Sequence, residues 1–133
     1  MREILFRGKT LTGRWVEGSY YKQEEFYGSK ENADVIITSK ESLTYDQALD
    51  FAIVIPETVG QYTGLIDKNG NKIFEGDIIN IECDETVVKN AVIEYVGASF
   101  YGSTDYDAWE LDGYCQLEVI GNIHDNKDLL EVK

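Results

Sequence analysis

The chain has 133 residues, 12 basic and 25 acidic, for a formal net charge of −13. With 43% hydrophobic and 28% charged residues it has the composition of a globular protein rather than a disordered one. No apolar run approaches the ~18 residues that cross a bilayer, and charges interrupt the first seven residues, which predicts a soluble, cytoplasmic protein with no membrane partner.

Glycine is frequent at 12 residues, and β-branched and aromatic residues cluster between the glycines, a pattern of short strands and tight turns. Residues 4–6 predict a first strand, 9–13 a turn, and 15–21 a second strand with a bend at Gly18. Residues 34–38 predict a third strand. Residues 41–49 form the one helical candidate: Thr44 and Gln47 have capping-box spacing, and Tyr45, Ala48 and Leu49 share a helical face. Residues 51–55 predict the next strand, closed by Pro56, the single proline.

Residues 65–74 carry the clearest local signal. Asp67 suits the first position of a type I turn, Gly70 is free to take positive φ, and apolar pairs flank both sides, which predicts a hairpin. Glu75-Gly76-Asp77 turns the chain into residues 78–83. There Ile79, Ile81 and Cys83 share one face, and Asn80 and Glu82 point to solvent. Residues 87–96 and 116–123 predict two further strands, and Asp125 or Asn126 caps a last turn through Leu129 and Leu130. Together these elements predict an all-β protein with one short helix. Residues 57–133 are expected to form a small SH3-like barrel or roll, with residues 1–56 as an N-terminal β-rich lobe packed on it.

Catalytic signals are weak. Cys83 and Cys115 do not form a Cys-x-x-Cys pair and are too few for a disulfide scaffold or a zinc site. No basic residue sits beside either to lower a thiol pKa, so two small buried strand residues in a reducing compartment are expected ahead of a redox pair. His124 is the single histidine, and Gly121-Asn122-Ile123-His124 reads as a strand exit. The acidic stretches starting at Asp67 and Asp105 fail the register of a calcium loop, with Ile78 and Gln116 at the twelfth position where a Glu is needed. No glycine cluster fits a phosphate or dinucleotide fingerprint. The expectation is therefore no catalytic residue, no metal, no cofactor and no enzymatic activity. An enzyme would need the carboxylates of residues 105–112 to converge with His124.

Charge and aromatic residues are more informative. Residues 1–16 carry +3, residues 17–56 carry −5 and residues 57–133 carry −11; between Asn90 and Asn126 there are seven carboxylates and no Lys or Arg. Such a surface repels phosphates at long range, so direct nucleic-acid binding is disfavoured, and only the basic first sixteen residues offer a place for it. Into the same acidic segment crowd Phe100, Tyr101, Tyr106, Trp109 and Tyr114. Amphipathic rings lose little entropy on contact, which makes Tyr101, Tyr106, Trp109 and Tyr114 the candidate interaction surface. The competing reading places Tyr101 and Trp109 in the core at the end of the barrel. The two carry equal weight for Trp109, and the core is favoured for Phe100.

Three stretches together carry a resemblance. They are Arg2-Glu3-Ile4-Leu5-Phe6-Arg7-Gly8 with Trp15-Val16-Glu17-Gly18-Ser19, then residues 56–79 around Gly60-Gln61-Tyr62-Thr63-Gly64 and Phe74-Glu75-Gly76-Asp77, and last Glu118-Val119-Ile120-Gly121-Asn122-Ile123-His124. The chain resembles the YopX family of small phage and prophage proteins, while residues 20–50 and 97–116 carry no family signal. The resemblance implies an SH3-type roll and a prophage origin; it brings no assigned biochemical function and no catalytic residue. The expected function is that of a prophage accessory protein that binds an unidentified host or phage protein. Homo-oligomer contact is also expected, since Ile/Val-rich strands would otherwise leave sheet edges unpaired. The alternative is an acidic nucleic-acid mimic that occupies a DNA-binding protein, which requires a regular, contiguous stripe of carboxylates.

Overall fold

A computed structural model describes residues 4–23, 33–38 and 51–130. Among these the secondary structure is antiparallel strand, apart from two 3-10 turns at Pro56–Thr58 and Lys127–Leu130, and the protein is all-β. The helical candidate over residues 41–49 lies outside the described residues. The chain divides into two compact units, residues 1–61 and 62–133.

The first unit contains β1 (Phe6–Lys9), β2 (Trp15–Gln23), β3 (Ala33–Ile37) and β4 (Phe51–Ile53). The expected first strand lies two residues later than its apolar residues suggest, because the Thr10–Gly13 turn sets the hairpin register. Gly13 takes φ +89° there, and its N–H donates to the Thr10 carbonyl at 2.9 Å. β2 divides its pairing. Trp15 to Gly18 face β1, and Ser19 to Gln23 face β3. Gly18 stands at the handover, where a Cβ would overlap the carbonyl oxygen of Ile37, so the close approach of β3 requires glycine. Val16, Ile36 and Val54 form the small core, with Phe6, Tyr20, Ala52 and Val59 against it. On that side the Tyr20 hydroxyl donates to Asp34 Oδ2 at 2.6 Å.

β5 (Gly60–Ile66) carries the chain into the second unit; Gly60 and Gln61 pair with β1, and Tyr62 onward pairs with β6 (Lys72–Phe74). The predicted hairpin forms as its turn chemistry dictates. The Gly70 N–H donates to the Asp67 carbonyl at 3.1 Å, Gly70 takes φ +85°, and the Asp67 carboxylate accepts the N–H groups of Asn69 and Asn71. Thr63 Oγ1 donates to the Ile73 carbonyl and accepts from the Leu65 N–H, so the polar residues of this motif stitch the hairpin together.

A five-stranded sheet follows, made of β7 (Asp77–Cys83), β8 (Thr86–Val96), β9 (Ser99–Ser103), β10 (Ala108–Glu110) and β11 (Gln116–Asn122) in the order β10-β9-β8-β7-β11. Alternation in β7 buries Ile79 and Ile81 and exposes Glu82, as the sequence requires. Those residues join Ile73, Val88, Ala91, Ile93, Phe100 and Leu117 in one core. β9 and β10 have no counterpart among the predicted strands. Each is short, and Gly102 and the Asp-rich turn between them conceal their alternation.

One expectation is overturned here. Cys83 and Cys115 are not separate buried thiols; they form a disulfide, with Cα atoms 4.7 Å apart. The physical reason is register. Glu82 pairs with Gln116, so Cys83 and Cys115 fall opposite each other at the next step along β7 and β11. That Cα separation suits a non-hydrogen-bonded antiparallel pair, the closer of the two pair types.

Candidate functional site

The acidic aromatic segment is a hairpin rather than a loop. β9 and β10 pair through Ser103 with Ala108, Gly102 with Trp109 and Tyr101 with Glu110. Thr104 closes the turn, its Oγ1 accepting the N–H groups of Tyr106 and Asp107 at 3.3 Å each while its own N–H donates to the Asp107 carbonyl. This turn projects Tyr106, 96% exposed. A second turn follows β10. There the Tyr114 N–H donates to Asp112 Oδ1 at 2.9 Å and the Cys115 N–H to the Asp112 carbonyl, leaving Tyr114 84% exposed.

The other two candidate rings are placed differently. Trp109 is half-buried and packs against the core beside Leu111. Its cross-strand partner is Gly102, where a Cβ would stand 2.9 Å from Ile81 Cδ1 and 3.3 Å from Ala91 Cβ. Glycine thus leaves room for the core to reach up beneath the indole. Phe100 is fully core, edge-on to Tyr95 with ring centroids 4.7 Å apart. Tyr101 alternates to the opposite face from Phe100 and is half-buried. It pairs with Glu94 on β8 and Glu110 on β10, so a ring stands between two carboxylate positions across three strands. The four candidates therefore divide into two projecting rings, one half-buried sheet ring and one ring that seals the core.

His124 sits in the turn after β11. Its N–H donates to Asn122 Oδ1 at 3.0 Å, and the same oxygen accepts the Asp125 N–H, which makes Asn122 the organiser of the turn. Residues 105–112 belong to β10 and its flanks, and β11 is the opposite edge of the five-stranded sheet. Among the described residues no three His, Cys, Asp or Glu side chains gather closely enough to hold a metal ion. No described helix is long and apolar enough to cross a membrane.

Sequence reasoning missed the cleft beside the disulfide. It is open, about 460 Å³, and lined by Glu82, Cys83, Asp84, Val87, Tyr114 and Gln116. Val87 is 56% exposed there, and both cysteines are half-buried. The available signal was the position of each cysteine at a strand end next to a turn, which becomes meaningful only once β7 and β11 are known to be neighbours.

Comparison with known proteins gives one structural and one family relationship. No curated protein matches the chain. The crystal structure of protein EF1440 from Enterococcus faecalis is similar, with 25% sequence identity and a TM-score of 0.49 over 98% of this chain and 100% of that one. Residues 5–131 match the family described as YopX protein; over nearly its whole length, then, the chain belongs to the YopX family of phage-associated proteins.

Proposed function

We propose that this chain is a prophage accessory protein that works in the cytosol of the bacterial host by binding another protein, without catalysing a reaction. The observation that carries the reading is the pair Tyr106 and Tyr114, 96% and 84% exposed on hydrogen-bonded turns. An exposed ring costs least to bury in an interface when its backbone is already ordered. The surrounding segment, with seven carboxylates and no Lys or Arg between Asn90 and Asn126, selects a partner of basic surface.

The test is affinity capture of the tagged protein from lysate of prophage-bearing cells, with and without nuclease, beside a Tyr106→Ala/Tyr114→Ala variant. One protein enriched in both nuclease conditions and reduced at least about tenfold with the variant is the expected result, since a few aromatic anchors carry most binding energy. Recovery of the bait alone overturns the reading. If the captured protein binds DNA, the acidic mimic takes precedence. The row Glu94–Tyr101–Glu110, which sets two carboxylate positions across three strands, is the observation in favour of that second reading.

A further inference from the structure

We infer that the Cys83–Cys115 disulfide is a solvent-facing thiol–disulfide exchange site, and that its surroundings select neutral and cationic thiols over anionic ones. Three observations carry this, and none depends on the proposed protein-binding role.

The first is access. Cys83 is half-buried and lines the open cleft of about 460 Å³, which gives a small thiol a route to this residue that leaves the sheet folded. The second is charge. Glu82 and Asp84 line the same cleft and no Lys or Arg does, so an incoming thiolate meets carboxylates on approach. Glutathione bears a net negative charge even before its thiol ionises, and cysteamine bears a positive one. Local fields of this kind change the encounter concentration of a charged reagent about tenfold or more at low ionic strength. The third is independence of the fold. The eight buried residues of the core include neither cysteine, and Cys115 packs only at its margin. The β7–β11 ladder extends beyond the crosslink from Glu82–Gln116 to Asp77–Asn122, with one register shift between Val119 and Gly121.

A thiolate attacks Cys83 Sγ, the bond to Cys115 Sγ breaks, and Cys115 leaves as a thiolate that takes a proton from solvent. A second thiol, or the second arm of a dithiol, attacks the reagent sulfur of the mixed disulfide and releases Cys83. Two electrons and two protons pass to the protein, and the reductant leaves as its own disulfide. Loss of the crosslink frees the Asp112–Cys115 turn at its C-terminal end, and that turn carries Tyr114.

The experiment treats the folded protein, without denaturant, with cysteamine, 2-mercaptoethanol or glutathione at about 20 mM and about 500 mM NaCl, concentrations that bracket strong and weak screening. Free cysteines are alkylated and counted by mass. Each rate is divided by that of the same thiol with a neutral small-molecule disulfide. The expected result is a normalised rate for cysteamine about tenfold or more above that for glutathione at low salt, collapsing towards equality at high salt. Glu82→Gln/Asp84→Asn narrows the low-salt ratio; Asn is chosen at position 84 because Asp84 takes φ +55°, which Asn tolerates. Circular dichroism of the reduced protein and of Cys83→Ser/Cys115→Ser keeps the native β signature. Labelling that appears only with denaturant, unfolding on reduction, or equal normalised rates at low salt each overturns the inference.

Discussion

Asp67 Oδ2 accepts the backbone N–H of Val119 at 2.9 Å, although the two residues are 52 positions apart. The other oxygen of the same carboxylate accepts the Asn69 and Asn71 N–H groups at 2.9 and 2.8 Å, and the neighbouring Lys68 N–H donates to the Leu117 carbonyl. One side chain thus shapes the β5–β6 turn and fastens it along the outer edge of β11. That edge would otherwise present unpaired backbone groups to any passing strand.

Acid stability should report on this contact. Burial raises the Asp67 pKa, but the N–H groups of Val119, Asn71 and Asn69 outweigh it and hold the carboxyl below its ordinary value. A depressed folded-state pKa contributes stability that is present above the unfolded value of 3.8 and is lost as pH falls through the folded one. Asp67→Asn should cost about 2 kcal/mol at pH 7, because an amide must turn one NH₂ towards N–H donors. Urea unfolding at pH 7 and pH 3 checks both statements: the gap between wild type and variant is wide at pH 7 and narrower at pH 3.

Alkaline stability should report on Tyr20. Its hydrogen bond to Asp34, then burial, then the Asp34 charge push the phenol up to about 12. A raised folded-state pKa contributes stability that is complete below the unfolded value of 10.0 and is lost as pH rises towards about 12. Tyr20→Phe removes the donor and leaves Asp34 buried without it, for a loss of about 1 kcal/mol at pH 7 after solvent screening. Ultraviolet titration of phenolate absorbance should show a late-titrating tyrosine in the wild type that the variant lacks.

Gly18→Ala should be the most damaging glycine substitution among the described residues of the first unit. The added Cβ collides with the Ile37 carbonyl, which is backbone and cannot rotate away. A loss of roughly 3 kcal/mol or more is expected, at the upper end of overpacking costs. The check is a thermal melt; a shift within a degree of the wild type would contradict the β2 handover described above.

The aromatic rings should separate by role. Trp109→Ala opens a gap against the core and costs about 2–3 kcal/mol, less than a fully buried indole because the ring is half-exposed. Tyr106→Ala and Tyr114→Ala should leave stability within about 0.5 kcal/mol of wild type, as exposed substitutions do. Denaturant midpoints for the three variants measure this directly, and they qualify the two tyrosine variants as binding probes.

Legibility in the sequence followed the range of the interaction. The Asp67–Gly70 turn was readable because donor, acceptor and glycine lie within four residues, and β7 because Ile79, Ile81 and Cys83 alternate without interruption. β9 and β10 were not readable. Their five and three residues contain a glycine and border an Asp-rich turn, so the apolar period never repeats. Of the candidate surface, the crowding of rings among carboxylates was visible in the sequence. Which rings project and which seal the core was not, because strand pairing sets Trp109 opposite Gly102 and leaves Tyr114 on a turn.

The sequence by itself determined an all-β chain, a hairpin at residues 65–74, an acidic second half and membership of the YopX family, since these rest on local pattern, composition and motif. Tertiary structure alone decided three things. β7 and β11 became neighbours, the two cysteines 32 positions apart came to face each other, and Asp67 reached Val119. The physical reason is that strand order and register come from burying one shared core, Ile73 to Leu117, and that choice is made by the whole unit rather than by any segment of it.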